Sequence, residues 1–399
     1  MKNDQEIKSL AEKYTFDVYP HTINLTISSG DGVTITDVNG NSYLDFAAGL
    51  GVNILGNCHP KLVRNVQDQL KRIIHPSNLY FIPEQILLAE KLCKITRLDK
   101  AYFSNSGAEA NESLIKFARK WGNAQSHPKQ EIICFESGWH GRTTGTISAC
   151  KDESMQAGFE PLLPGFITVP KFDLAAIKTK LNDNTLGVLV EPVLGHGGVF
   201  PAPPGFLKEL RAFCDENSIL MLVDEIQTGI GRTGSFLFCD HEDVTPDILT
   251  LGKALAGGFP IGATLCKDFI AKHMTVGTHG STFGGNPVSA TAALTVLDTI
   301  YEDKLIENAA KLGEYLFSEL NKLQQLFPDK VTEARHCGLM CALEVSIDNK
   351  RLQRLILDQG LICTTVGTKV LRFLPPFVIT KLDIDKAVNC IKSALINYL

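Results

Sequence analysis

Two short stretches of the 399-residue chain end in side chains that could do chemistry together. The apolar run Ile219 to Val223 stops abruptly at Asp224 and Glu225, and a second run, Ile248 to Leu251, stops at Gly252 and Lys253 before a glycine-rich turn. Runs of this length and type are expected of strands buried on both faces. In open α/β sheets, ligands sit beyond the carboxyl ends of parallel strands, so an Asp and a Lys delivered there would converge. Pyridoxal phosphate chemistry wants that pair: a lysine to form the Schiff base and a carboxylate to keep the pyridine nitrogen protonated. A plain ion pair or a solvated rim would use the same two residues, so the pair alone leaves both readings open.

Other segments carry candidates of the same kind. Ser104 to Asn111 reads SNSGAEAN after a strand-like run, which leaves the backbone N–H groups of Ser106, Gly107 and Ala108 free at a helix start. Free N–H groups and the helix dipole make an anion site, although simple capping by Asn105 or Ser106 explains the same residues. In ESGWHGRTTGT, Trp139 could lie flat on a cofactor ring and Arg142 could grip a carboxylate through two hydrogen bonds; a packed domain boundary and a surface ion pair are the alternatives. Glu191 ends the run Leu186 to Val190, and the proline and glycines of EPVLGHGG behind it demand a turn. Ser281 and Thr282 offer hydroxyls on the glycine-rich HGSTFGGNP loop. Arg372 sits in the apolar context VLRFLPPFVI, where a guanidinium should have an anionic partner or ligand.

The elements that must position these residues read as an α/β protein. Seven strand-like runs, Ala101–Phe103, Glu131–Phe135, Phe166–Val169, Leu186–Val190, Ile219–Val223, Ile248–Leu251 and Ala263–Cys266, alternate mostly with helix-length intervals. That alternation predicts a mainly parallel sheet with helices on both faces. Before it, Val33 to Leu44 reads as a hairpin with Asn39-Gly40 in a type I′ turn. A helix is expected from Pro60 with Leu62, Val63, Val66, Leu70, Ile73 and Ile74 on one face, and another over Pro83 to Cys93. From Asn286, a helix cap followed by Pro287, the pattern changes to mixed helices and short strands. We therefore expect residues 1–45 to join a small α+β domain formed by residues 286–399, with residues 46–285 forming the large domain.

Composition narrows the classes. Apolar content of 44% and charged content of 21% suit an ordinary globular protein, and a net charge of -5 gives no reason to expect nucleic acid as a partner. Eleven cysteines without a CxxC or zinc-like spacing suggest reduced thiols in a cytoplasm and no metal site. No apolar run approaches the length of a membrane span.

Taken in order, SNSGAEANESLIKFARK, WHGRT, EPV.G.GGV, LVDEIQTGIGRTG, PDILTLGKALAGGFPIGA and HGSTFGGNP resemble the class III aminotransferases of the acetylornithine and ornithine type. The resemblance runs from YLDFAAG to LRFLPPFVI and implies the fold type I architecture of pyridoxal phosphate enzymes. It implies further that Lys253 is the Schiff-base lysine and proton carrier and that Asp224 is the partner of the pyridine nitrogen. By the same resemblance, Ile226 and Trp139 pack on the two ring faces, Trp139 replacing a more usual Phe, and Gln227 lies near the phenolic oxygen. Ser106, Gly107 and Ala108 match the phosphate-binding turn, and Thr282 matches a threonine reaching the phosphate of a neighbouring subunit, which implies a homodimer with shared sites. Arg142, with Ser281 nearby, matches the grip on the donor's α-carboxylate, and Arg372 the grip on 2-oxoglutarate.

One departure bears on specificity. Members of the family usually read EPVQGEGG, with the glutamate pairing the arginine that corresponds to Arg372, whereas this chain has Leu194 and His196. A histidine cannot neutralise a guanidinium, so Arg372 is expected to be uncovered or differently paired. The expected reaction is transfer of the terminal amino group of an ω-amino donor, N2-acetylornithine first, to 2-oxoglutarate by a ping-pong mechanism. 4-Aminobutyrate, ornithine or a diamine as donor, or an aminomutase or decarboxylase on the same fold, are the alternatives.

Overall fold

The computed structural model describes residues 3–398. Its largest sheet has seven strands in the spatial order Lys100–Ser104, Gly262–Cys266, Ile248–Leu251, Leu220–Asp224, Thr185–Val190, Glu131–Phe135, Phe166–Val169. Gly262–Cys266 runs antiparallel to both of its neighbours, and every other pairing in the sheet is parallel. The expected seven strands are all present, most with ends moved by a residue. The shift matters at one place: the strand expected to stop at Val223 includes Asp224, whose backbone pairs with Thr250 on the neighbouring strand.

Successive residues of a strand point to opposite faces, and the core divides accordingly. Met221 and Val223 join one apolar cluster together with Phe206, Leu207 and Leu210 of helix Phe206–Glu216. Leu220 and Leu222 join another with Leu114, Ile115 and Ala118 of helix Gly107–Asn123. Strands covered on both sides have no solvent face to fill with polar residues, which is why they read as continuous apolar runs.

Two four-stranded sheets and a two-stranded pairing of Val193–Leu194 with Phe200–Pro201 accompany the large sheet. One orders Val331–Cys337, Met340–Val345, Val370–Phe373 and Thr364–Val366, all antiparallel, and Arg372 lies on its third strand. The other orders Ile27–Asp31, Thr34–Asp37, Ser42–Asp45 and Leu361–Ile362, the last pairing parallel to Ser42–Asp45. Helix Pro287–Glu302 is capped by Asn286, whose side chain accepts from Ser289 N, and packs against helices Pro60–Arg72 and Pro83–Thr96.

Two local expectations are corrected. The hairpin turn is not type I′, because only Gly40 has positive φ (87°) while Asn39 does not. Gly40 N donates to Asp37 O, Asp37 N donates to Asn41 O, and the Asp37 carboxylate accepts from the N–H groups of Asn39 and Asn41. That is a type I turn followed by a left-handed glycine, selected by the aspartate. The helix from Pro60 ends at Arg72, leaving Ile73 and Ile74 beyond it; only Leu62 and Val66 of its expected apolar face are buried. Among the described residues no helix is long and apolar enough to cross a membrane, no group of three potential metal ligands occurs, and all eleven cysteines are free.

Gly187 tests the tightness of the central sheet. A methyl carbon there would lie 2.5 Å from the Leu220 carbonyl oxygen on the adjacent strand, which cannot retreat without breaking the ladder. Gly187→Ala is expected to destabilise the fold by about 1–3 kcal/mol, read as a lower thermal midpoint. An unchanged midpoint would mean that the strands yield freely.

Candidate active site

The strand ends do bring the reactive residues together. Asp224 is buried and accepts three hydrogen bonds: from Asn111 Nδ2 at 2.7 Å, from His140 Nδ1 at 2.8 Å and from its own chain at Ile226 N, 3.0 Å. Asn111 is itself held on both sides, donating to the His140 carbonyl at 2.8 Å and accepting from Thr250 Oγ1 at 2.8 Å. A carboxylate can be buried as an anion only with such partners. Burial alone would depress the His140 pKa, but the hydrogen bond and charge of Asp224, with Glu191 behind it, raise it overall.

Lys253 follows the next strand in a left-handed backbone conformation, φ 41°, which strains a residue with a side chain. Its pKa is lowered to about 8 because burial and the nearby Arg372 disfavour the ammonium more than Asp224 and Glu191 favour it. Glu191, at the end of strand Thr185–Val190, receives the N–H of Trp139. Burial, reinforced by the Asp224 charge and opposed by His140, the Trp139 N–H and Lys253, raises its pKa to about 7.

The turn from Ser106 to Ala108 closes over this group. Ser106 caps helix Gly107–Asn123, its hydroxyl accepting from Glu109 N at 3.2 Å, and no acceptor within the described chain takes the N–H groups of Ser106, Gly107 or Ala108. Capping by Ser106 therefore leaves these three N–H groups unclaimed. Glu109 also folds back, its carboxylate accepting from Asn105 N at 2.9 Å and from the Ser106 hydroxyl at 3.1 Å. Close approach restricts Gly107, where a methyl carbon would lie 2.8 Å from Ile226 Cγ2, and less tightly Gly252, where one would lie 3.3 Å from the same atom. Gly141, with φ 136°, lies equally close to Ala108. The phosphate-type turn, the lysine turn, Ile226 and the Trp139–Arg142 loop thus share one wall.

The outer part of the site is rich in positive charge. The Arg142 guanidinium carbon lies 4.7 Å from the centre of the Trp139 ring, and the His196 ring centre lies 4.0 Å from it at an interplanar angle of 40°. Arg372 is 6% exposed and donates to Gly195 O at 3.1 Å, Thr364 Oγ1 at 3.3 Å and Gln227 Oε1 at 3.4 Å. The anionic partner expected for it is absent among the described residues, and neutral oxygens take its place. Burial lowers its pKa to about 10 against the pull of Glu191. His196 is exposed to solvent, yet partial desolvation by the surrounding protein, then the charges of Arg372, Arg142 and Lys253, push its pKa down to about 4 despite Asp152. At neutral pH it is an uncharged ring.

Two sequence candidates lie apart from that group in the contacts they make. The Ser281 hydroxyl accepts from Asn105 Nδ2 at 3.1 Å and from Gly284 N at 3.0 Å, so its contacts are with the phosphate-type turn and not with Arg142. Thr282 is exposed and makes no side-chain hydrogen bond among the described residues. Asn111, His140 and Thr250 were missed. Asn111 could have been found, since it lies on the same helical stripe as Leu114, Ile115 and Ala118, and a polar residue on a buried stripe must have partners.

A model of the family described as aminotransferase class-III matches residues 15–395. The chain is 41% identical over 387 residues to the acetylornithine aminotransferase of Methanocaldococcus jannaschii, covering 96% of each protein. It is 40% identical over 383 residues to that of Gloeobacter violaceus, covering 96% of this chain and 95% of the relative. Its fold matches the ornithine aminotransferase of Toxoplasma gondii with a TM-score of 0.95 at 32% identity, over 99% of this chain and 96% of that one. The acetylornithine aminotransferase of Elizabethkingia anophelis matches with a TM-score of 0.89 at 33% identity, over the full length of both. The expected fold type I architecture is borne out.

The charges around Lys253 have a measurable consequence. A lowered pKa means that the neutral, nucleophilic amine appears at lower pH than for a free lysine. In cofactor-free protein, acylation of Lys253 by a small reagent is expected to speed up with pH and level off above about 8. A midpoint at the ordinary lysine value would show that burial and Arg372 do not act on it.

Proposed function

The chain belongs to the class III aminotransferases, which use pyridoxal phosphate, and on that premise we propose that it moves the terminal amino group of N2-acetylornithine to 2-oxoglutarate. The residues present fit the cofactor. Ser106, Gly107 and Ala108 offer unclaimed N–H groups to a phosphate at a turn where Gly107 leaves no room for a side chain, and Asp224 is a buried carboxylate whose Oδ2 accepts twice and whose Oδ1 accepts once, leaving Oδ1 free for a further donor. Ile226, Trp139 and Gln227 would complete its surroundings, with Thr282 reaching the phosphate of a second subunit. When bound, the cofactor supplies an electron sink for the charge left on the substrate carbon as a proton departs.

The chain's own residues do the rest. Asp224, immobilised by Asn111 and His140, keeps a positive charge at the pyridine nitrogen. Lys253 Nζ takes the proton from the substrate carbon and returns it one position away, a role suited to an amine whose pKa is lowered to about 8. Arg142 and Arg372 bind carboxylates of the two substrates that use the site in turn.

The observation that carries the choice of donor is the excess of cations. The charges of Arg142, Arg372 and Lys253 all bear on His196 against that of Asp152, and neither arginine has a carboxylate partner among the described residues. A donor with a free α-ammonium would add another positive charge, and acetylation removes it. Ornithine is disfavoured by this argument, and a donor lacking an α-carboxylate would leave an arginine without a ligand.

We also read the protein as a homodimer. Leu79, Tyr80 and Phe81 are 88%, 68% and 93% exposed, too much contiguous apolar surface for a chain working alone. They lie beside the Thr282 loop: Asn78 donates to the Ser281 and Gly284 carbonyls, and the His75 and Phe283 rings are 5.1 Å apart.

A panel of acetylornithine, ornithine and 4-aminobutyrate, each with 2-oxoglutarate or pyruvate, tests the assignment. Acetylornithine with 2-oxoglutarate is expected to exceed ornithine in kcat/KM by about tenfold or more; a faster reaction with ornithine or 4-aminobutyrate would overturn the donor. Lys253→Ala should lower kcat by roughly a hundred- to ten-thousand-fold. Sedimentation should give twice the chain mass, and Thr282→Ala should weaken cofactor retention without dissociating the dimer.

A further inference from the structure

Thr282 is exposed, yet the chain on either side of it is tied down. On one side the His279 ring bridges two residues of helix Gly107–Asn123, with Nε2 3.0 Å from Ser113 Oγ and Nδ1 2.8 Å from Lys116 Nζ. The partners fix the tautomer. The Ser113 hydroxyl directs its one proton to Glu109 O at 2.9 Å, so it accepts from His279 Nε2–H, and Nδ1 is left to accept from the ammonium. The ring also packs against Tyr102, 4.8 Å between centres, and edge-on to Phe117 at 5.7 Å. Burial, and then the charge of Lys116, lower its pKa against the pull of Glu112, which keeps the ring neutral and Nδ1 able to accept. On the other side, Asn105 Nδ2 donates to Ser281 Oγ and Asn78 Nδ2 to Ser281 O, while a methyl carbon at Gly284 would lie 2.2 Å from Phe103 O. His279 and Ser281 thus fasten the loop to the chain's own phosphate-type turn and the helix that leaves it, and Thr282 takes no part in those bonds.

We propose that His279 is a positioning residue for the cofactor of the other subunit: by fastening the loop to helix Gly107–Asn123, it sets the place from which Thr282 reaches the neighbouring phosphate. The inference rests on the homodimer reading and on Thr282 as a ligand of that phosphate. A loose loop would lose its freedom at each binding event, at a cost in affinity that a fastened one avoids. His279 acts through Thr282 and has no assigned contact with cofactor or substrate.

The test titrates cofactor-free protein with pyridoxal phosphate and compares His279→Ala, His279→Phe, Thr282→Ala and the two double variants. His279→Phe keeps a ring beside Tyr102 and Phe117 and loses both hydrogen bonds, which guards against a variant that fails to fold. Each His279 change should weaken cofactor affinity about three- to tenfold in the unaltered background and by less than about twofold once Thr282 is alanine. Additive losses, or unchanged affinity in both His279 variants, would overturn the proposal. Mixed dimers supply the second measurement, the pyridoxal phosphate concentration that half-saturates borohydride fixation to the one remaining Lys253. With Lys253→Ala and His279→Phe together in one chain, that site should be weakened; with Lys253→Ala in one chain and His279→Phe in the other, it should not. The reverse pattern would place the action of His279 within its own subunit and overturn the proposal. If Thr282→Ala by itself leaves affinity unchanged, the reading of Thr282 as a phosphate ligand falls, and the role of His279 with it.

Discussion

A carboxylate at the end of a central strand, stripped of water, governs this structure. Asp224 can remain charged there only because Asn111, His140 and the backbone at Ile226 each give it a hydrogen bond. Those donors come from the helix after the first strand of the sheet, from the loop after the second, and from its own turn. Satisfying one buried charge therefore holds three separate segments in register. The same segments carry the phosphate-type turn, Trp139 and Arg142, and Ile226, so the electrostatic requirement of Asp224 is also what assembles the walls of the site.

Around that anion the charges are graded outward. Glu191 and His140 lie close to it with raised pKa values, Lys253 has a lowered one, and beyond them stand two guanidiniums and a neutral imidazole. Each shift begins with burial and is then corrected by its neighbours, so none belongs to a residue in isolation. The outer cations favour anionic substrates, and the inner anion favours a cationic ring. The two requirements do not compete because they act at different depths.

Much of this was legible in the sequence. The seven strands could be read because each is covered on both faces and so carries an unbroken apolar signature, and Asp224 and Lys253 because polarity returns abruptly where such strands end. The turn at Asn39-Gly40 was misread because the dipeptide also suits a type I turn closed by a left-handed glycine, and the side chain that decides, Asp37, precedes it. Ile73 and Ile74 were misassigned because helical periodicity cannot show where the backbone leaves the helix. Arg372 was rightly placed in a buried setting. Its neutral partners, Gly195 O and Thr364, escaped notice because backbone carbonyls leave no mark on residue type.

The pairing of Leu361–Ile362 with Ser42–Asp45 has a mechanical meaning. Only Cys363 separates Leu361–Ile362 from Thr364–Val366, the strand beside Arg372, so one continuous stretch of chain is stitched into two sheets. A residue of slack does not let those sheets hinge separately. The strand that carries Arg372 is thus tied through Thr364–Val366 and Leu361–Ile362 to the N-terminal strands, as a beam is tied to its footing.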